Sequence, residues 1–309
     1  MTRFSILLGT LVIMFVGACI TPAEVDFAEA EQELVVYSHF GVDEPMKIYL
    51  THTRDPLTNV PFNPVEHATI KVYKDGMPVG EFHRSEPGKK AEYLALYRTD
   101  VYAMAGSRYE IEVIAEGYKN ARSAETVPSP GAYNVHFQPV ENNEQSTLYR
   151  LSFYDDSAEN YYQLIINFLE KDMSGSIVSE EVVDYELVRS SAFTHFENDD
   201  RTWTAIYPEY TGFLFTGIRG EGNTKELFVE IPNKTGTSSE YECTYKAELH
   251  NVSEAYFLYH ESVQAQLTAN PLTAPTHIYN NIEGGFGNFS SYNTTTAEAD
   301  AFRIRGEDD

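Results

Sequence analysis

"ATIKVYKDGMPVGEF", Ala68 to Phe82, decides the fold class. Ala68, Ile70 and Val72 alternate with Thr69, Lys71 and Tyr73, the period of two expected of a strand with one face on a core. Asp75-Gly76 then supplies a pair that accepts positive φ, the chemistry of a tight two-residue hairpin. The pattern recurs on both sides. In "RYEIEVIAEGY", Tyr109, Ile111 and Val113 alternate with Glu110 and Glu112. Upstream, "LVVYSHF" and "KIYLTHT" are rich in β-branched and aromatic residues, with the turn residues Asp43-Glu44-Pro45 between them. These runs predict a mainly β chain whose first folded part, residues 34–138, is a β-sandwich closing near Val127.

Pro128, Pro130, Gly131 and the polar run "VENNEQ" predict a linker at 139–145. A larger β-rich domain, 146–309, follows. "STLYRLSFYD", "NYYQLIINFLEK", "ELFVEI" and "YECTYKAELH" read as its strands. "IVSEEVVDYELV" fits strand or helix, and 172–226 as a whole is loop-rich. One amphipathic helix is expected near 254–268. Asn251 and Glu254 have capping-box spacing, and Tyr256, Tyr259 or His260, Val263 and Leu267 make one apolar stripe.

The N-terminus carries a different signal. In "MTRFSILLGTLVIMFVGAC", Arg3 precedes an apolar run, and Val16-Gly17-Ala18 places small residues before Cys19. The run is shorter than the ~20 residues that cross a bilayer. It resembles the lipobox of bacterial lipoproteins, which implies a signal peptide at 1–18, cleavage after Ala18, and lipid on Cys19. Two or three acyl chains on one residue anchor a protein stably where a single chain does not. Residues 19–33 would be an acidic tether. Acids close behind a lipidated cysteine resemble a surface-export signal, here beginning at Glu24.

With Cys19 lipidated, Cys243 is the one thiol left, so no intrachain disulfide can form. The alternation of Tyr241, Cys243, Tyr245, Ala247 and Leu249 makes Cys243 a small buried group rather than a nucleophile. The net charge of −25 becomes −26 once the leader, with Arg3 and no acid, is removed. Such a body repels nucleic acid and anionic head groups. The sequons at Asn233, Asn251, Asn288 and Asn293 carry no weight in a bacterial lipoprotein.

Enzyme signatures fail one by one. "EGGFGN" lacks both G-x-G-x-x-G spacing and a Gly-Lys-Ser/Thr ending, so Gly284, Gly285 and Gly287 are expected to serve backbone geometry, with Ile282, Phe286 and Phe289 packing inward. There is no G-x-S-x-G elbow and no H-E-x-x-H, and the nine histidines are dispersed. No pair stands out among 47 acids. Neither a cofactor nor a metal is implied, and the chain reads as a non-enzyme. Trp203, Tyr207 and Tyr210 in "WTAIYPEY" are either a ligand- or partner-facing loop or a local staple.

Two resemblances follow. The Asp-Gly hairpin, "AEYLALYRTD" and "AGSRYEIEVIAEGYKNA" together resemble the immunoglobulin-like, transthyretin-like or carboxypeptidase-regulatory-like sandwiches of bacterial surface proteins, which are spacers or docking modules. The lipobox, "ELVVYSHFGVDEPMKIYLTHT", "ATIKVYKDG", "YRLSFYDDSAENYY", "SEAYFLYHESVQAQ" and the terminal "HIYNNIEGGFGNFSSY", 277–292, resemble in order the Bacteroidota lipoprotein family catalogued as domain-of-unknown-function 4249. That family's pattern has an apolar residue where Asn288 stands. The resemblance carries no catalytic residues. It implies an outward-facing outer-membrane lipoprotein, an accessory to a TonB-dependent receptor. The runner-up is a free-standing surface lipoprotein for ligand binding or adhesion, and a degradative enzyme comes third.

Overall fold

The computed structural model describes residues 31–54, 64–86, 94–155, 160–190, 195–197, 212–216, 223–234, 236–238, 240–268 and 277–301. Seven strands form the first part: β1 Leu34–Gly41, β2 Pro45–His52, β3 Ala68–Lys74, β4 Met77–Ser85, β5 Ala95–Tyr102, β6 Arg108–Ala115 and β7 Ala121–Thr126. Then come β8 Ala132–Asn142, β9 Ser146–Asp155, β10 Tyr161–Lys171, β11 Ile177–Val182, β12 Glu186–Ser190, β13 His195–Glu197, β14 Phe213–Thr216, β15 Thr224–Pro232 and β16 Glu242–Val252. A helix, α1 (Glu254–Thr268), and the long β17 (Gly285–Asp300) complete the described chain. The fold is mainly β, with a sandwich-like layout.

The hairpin at Asp75-Gly76 forms as its chemistry dictates, with φ of 50° and 80° at the two turn residues. β4 then changes layer. Its Met77–Phe82 stretch pairs with β3, while His83, Arg84 and Ser85 pair with Arg98, Tyr97 and Leu96 of β5. One 13-stranded sheet therefore runs β13-β14-β10-β16-β17-β1-β2-β5-β4-β3-β6-β7, with β11 on β10, and wraps over itself at β4. A four-stranded sheet, β12-β15-β9-β8, lies apart from that path.

β17 joins the two parts. Its first half pairs in parallel with β1, from Leu34↔Gly285 to Gly41↔Tyr292. Its second half pairs antiparallel with β16, from Val252↔Tyr292 to Thr244↔Asp300. Sixteen residues at ~3.3 Å each reach ~50 Å, long enough to serve both partners in succession. A parallel pair cannot be closed by a tight turn. Here nearly the whole chain is the crossover.

Two expectations change as a result. Two separate cores do form, one around Val36, Phe40, Ile48, Val72 and Ile111, the other around Tyr149, Leu151, Tyr162, Ile166 and Tyr245, but Ala132 and Phe137 of the expected 34–138 unit pack in the second. Yet Ile282 and Phe289 of the terminal element lie in the first core, so the parts share a strand. The expected linker is also a hairpin: 139–142 complete β8, and Asn143 Oδ1 accepts from the amides of Gln145 and Ser146 at 2.8 and 2.9 Å. The polar run was turn chemistry inside one supersecondary unit, not a break between units.

The sheet's faces alternate as its pleat requires. On β1, Leu34, Val36 and Phe40 enter the first core, whereas Tyr37 joins Tyr256, Phe257, Tyr259 and Val263 of α1 in a third cluster. Helix α1 thus covers the opposite face of the shared sheet. Its bounds match the expected 254–268, and Tyr256, Tyr259, His260 and Val263 are buried, while Leu267 is half exposed. The cap differs from expectation. Ser253 Oγ accepts from Tyr256 N at 3.3 Å, while Asn251 belongs to β16 and its Nδ2 donates to the Ser129 carbonyl at 2.7 Å.

Candidate functional site

Cys19, Trp203, Tyr207 and Tyr210 lie outside the described residues. The glycine element does not, and its role is plain. Asn281 Nδ2 donates to the Phe289 carbonyl at 2.7 Å and its Oδ1 accepts from Phe289 N at 2.9 Å, standing in for a neighbouring strand. Asn280 Nδ2 reaches the Gly285 carbonyl at 3.1 Å, and Glu283 exchanges two backbone hydrogen bonds with Arg122 of β7. A Cβ on Gly284 would sit 2.2 Å from the Asn120 carbonyl oxygen, and one on Gly285 2.6 Å from that of Leu34. Gly284 also has φ of 78°. These glycines let backbone approach backbone. Ile282 and Phe289 pack inward as expected, but Phe286 is exposed. Strand alternation puts it on the face opposite Gly285 and Gly287.

Asn288 is wholly buried and donates through Nδ2 to the Ala255 carbonyl at 3.1 Å. It belongs to a group of polar and aromatic side chains between α1 and the sheet that sequence reasoning missed. His39 on β1 and His260 on α1 are both buried, with ring centroids 5.2 Å apart. Tyr37, Tyr256 and Tyr259 pack around them; the His39–Tyr256 and Tyr256–His260 separations are 4.7 and 4.5 Å. Ser290 Oγ lies 3.2 Å from His39 Nδ1, and Tyr256 donates its hydroxyl proton to Gln163 Oε1 at 2.7 Å. Burial holds His260 down to about 3 and His39 well below its ordinary value, with His260 and Lys47 adding repulsion at His39. The one legible signal was "YSHF", whose His39 alternates with the apolar residues Val36, Phe40 and their neighbours.

At the helix N-terminus, Ser253 is a junction. Its Oγ accepts from the amides of Tyr256 and Ser291, both at 3.3 Å, and donates to Glu125 Oε2 at 3.2 Å. Burial, with the nearby Glu254 charge adding to it, pushes the half-buried Glu125 carboxyl up to about 7, against hydrogen bonds from Thr126 N and Ser253. Elsewhere on β16, hydrogen bonds from His250 and Lys246 bring Glu248 down to about 2.

A groove of about 680 Å³ opens where β8 meets the ends of β16 and β17. Pro139, Val140, Cys243 and Ala301 give it apolar walls, and Glu141, Glu242 and Asp300 add carboxylates. Cys243 is buried in the second core beside Tyr245 and Ala247, as the alternation predicted. Among the described residues no group of three His, Cys, Asp or Glu side chains could hold a metal ion, and no helix is long and apolar enough to cross a membrane.

Comparison with solved structures gives distant likenesses. Bovine butyrophilin aligns with 71% of this chain and 92% of its own at 8% identity and a TM-score of 0.21. The yeast delta-COP-I mu-homology domain complexed with a Dsl1 WxWxV peptide aligns with 87% of this chain and 94% of its own at 9% identity and a TM-score of 0.21. Likenesses this weak carry no argument. No curated protein matches the sequence. Residues 20–298, most of the chain, match the family described as Domain of unknown function (DUF4249), and the protein belongs to that family.

Proposed function

We propose that the protein is a lipid-anchored outer-membrane lipoprotein, facing outward, that serves a TonB-dependent transporter as a non-enzymatic accessory. The observation that carries this reading is the Val16-Gly17-Ala18-Cys19 sequence behind a short apolar run. Acyl chains on Cys19 would hold the folded part beside the membrane on the tether 19–33. Family membership fits the reading, since the resemblance to that family implies a TonB-dependent receptor as partner. The packing of Cys243, His39 and His260 inside the fold fits a protein whose candidate chemical groups serve its architecture. The test is a mild-detergent pull-down of the native lipoprotein from its own outer membrane, read by mass spectrometry. A near-equimolar TonB-dependent barrel is expected. Recovery of the lipoprotein alone would overturn the accessory role.

The second reading is a free-standing surface binder, and the groove bounded by β8, β16 and β17 favours it. Its volume falls within the ~300–1,000 Å³ usual for small-molecule sites. A lipoprotein recovered without a barrel, yet shifted in melting temperature by a soluble ligand, would support this reading.

A further inference from the structure

The helix rests on an unusual bed. Most cores present only apolar atoms to a covering helix, yet the surface under α1 includes His39, Gln163, Asn288 and Ser290, each buried. Two of these polar groups are imperfectly served. Gln163 Nε2 and Asn288 Oδ1 have no hydrogen-bond partner among the described residues. Each such group weakens docking, because water satisfies it once the helix lifts. The cluster that holds α1 is also separate from the two sandwich cores, so the helix can leave while both cores stay packed.

Into this interface the fold places two imidazoles, one from each side. His39 comes from the sheet and His260 from the helix, within 5.2 Å of one another. Aromatic and hydroxyl side chains pack against the pair. β1 contributes Tyr37, α1 contributes Tyr256 and Tyr259, and β17 contributes Ser290. β2 contributes the positive charge of Lys47, and β10 contributes Gln163 through its bond to Tyr256. The segment after the helix packs Tyr279 against the same cluster, its amide donating to Ser262 Oγ. The helix's own acids, Glu254 and Glu261, are exposed to water. Glu125 meets the helix at its N-terminal end, through Ser253.

We infer that α1 is an acid-released cover: protonation of His39 and His260 lifts it off the shared sheet while the two sandwiches remain folded, exposing the polar face of β1, β10 and β17. Both imidazoles titrate lower in the closed state than the ordinary 6.5. The stabilisation they give the closed state is therefore complete above pH 6.5 and is lost as pH falls below it. With both groups free to take a proton near 6.5 once released, the opening constant at pH 5 rises by about 30-fold per imidazole, or about a thousandfold for the pair.

Hydrogen exchange on the full chain tests this, read by mass spectrometry at pH 7.5 and pH 5 with the intrinsic pH dependence of exchange removed. In a Glu125→Gln chain, which removes the carboxyl whose protonation favours the closed helix at low pH, the amides of 255–268 should lose protection by two to three orders of magnitude at pH 5 while those of β6 and β16 hold theirs. His260→Gln should cut the change to about 30-fold, and His39→Gln with His260→Gln should abolish it. Should the His variants misfold, the slope in the Glu125→Gln chain alone decides, since release with two protons gives a hundredfold change per pH unit. Helix amides equally protected at both pH values would overturn the inference. Amides lost only in step with those of β6 and β16 would do the same, because that is global acid unfolding.

Discussion

Gly287 of the last strand lies against Val36 of the first so closely that a Cβ would sit 1.8 Å from the Val36 carbonyl oxygen. Its φ of 119° also falls where L side chains rarely go. Space and backbone conformation both exclude a side chain here, at the seam that joins the chain's ends. Gly287→Ala should therefore prevent folding or lower the melting temperature by more than 10 °C. Gly76, with φ of 80° but open surroundings, provides the control. Its Ala variant should cost about 1–2 kcal/mol, a few degrees in a chain this size. Similar melting curves for the two variants would contradict the seam.

The neighbouring pair gives a second test. Replacing Gly284 and Gly285 together by Val should destabilise the first core through Asn120 and Leu34, the backbone they approach. An unchanged melting temperature would mean that these glycines serve something other than backbone geometry.

The two phenylalanines of the element should separate cleanly. Phe289 is fully buried and its ring centroid lies 4.9 Å from that of Phe40, so Phe289→Ala should cost about 3–5 kcal/mol. Phe286→Ala should change stability by less than about 0.5 kcal/mol. Denaturant midpoints for both variants decide it, and a large loss at Phe286 would show that strand alternation has been misassigned.

Ser253 rather than Asn251 caps the helix. Ser253→Ala removes the acceptor for Tyr256 N and Ser291 N and should cost about 1–2 kcal/mol, with helix amides losing protection first. If the loss is uniform across the fold, the cap is not where the effect lies.

Glu125 carries a pH dependence of its own. Its carboxyl stays protonated in the folded state up to about pH 7, well above its ordinary 4.5. The stabilisation is thus complete below pH 4.5 and is lost as pH rises through 7. Glu125→Gln should raise the melting temperature by a few degrees at pH 8 and leave it nearly unchanged at pH 4. The reverse order would show that the ionised carboxylate is the favoured form beside Ser253.

Much of this fold was legible because period-two alternation is a local signal. "ATIKVYKDG", "RYEIEVIA" and "YECTYKAELH" each became the strand they promised, and α1 ends where its stripe ends. Long-range features left no such trace. Nothing local in "LVVYSHF" or "GFGNFSSY" says that they pair in parallel, since that register depends on contacts some 250 residues apart. The cap went astray because Asn251 and Glu254 have the right spacing, while β16 runs on through Val252 and leaves Ser253 as the first residue free to cap. The polar cluster under α1 was hidden for a related reason: His39, Gln163, Asn288 and His260 come from four separate elements, and only the packed sheet brings them together.

The account of location and partner depends on the anchor, so the most direct measurement is the mass of the N-terminal peptide from protein isolated from its native membrane. It should begin at Cys19 and carry a diacylglycerol with or without a further acyl chain, and Cys19→Ser should move the protein out of the membrane fraction. A mature chain that begins elsewhere or carries an unmodified Cys19, still recovered with the membrane after the substitution, would contradict the account.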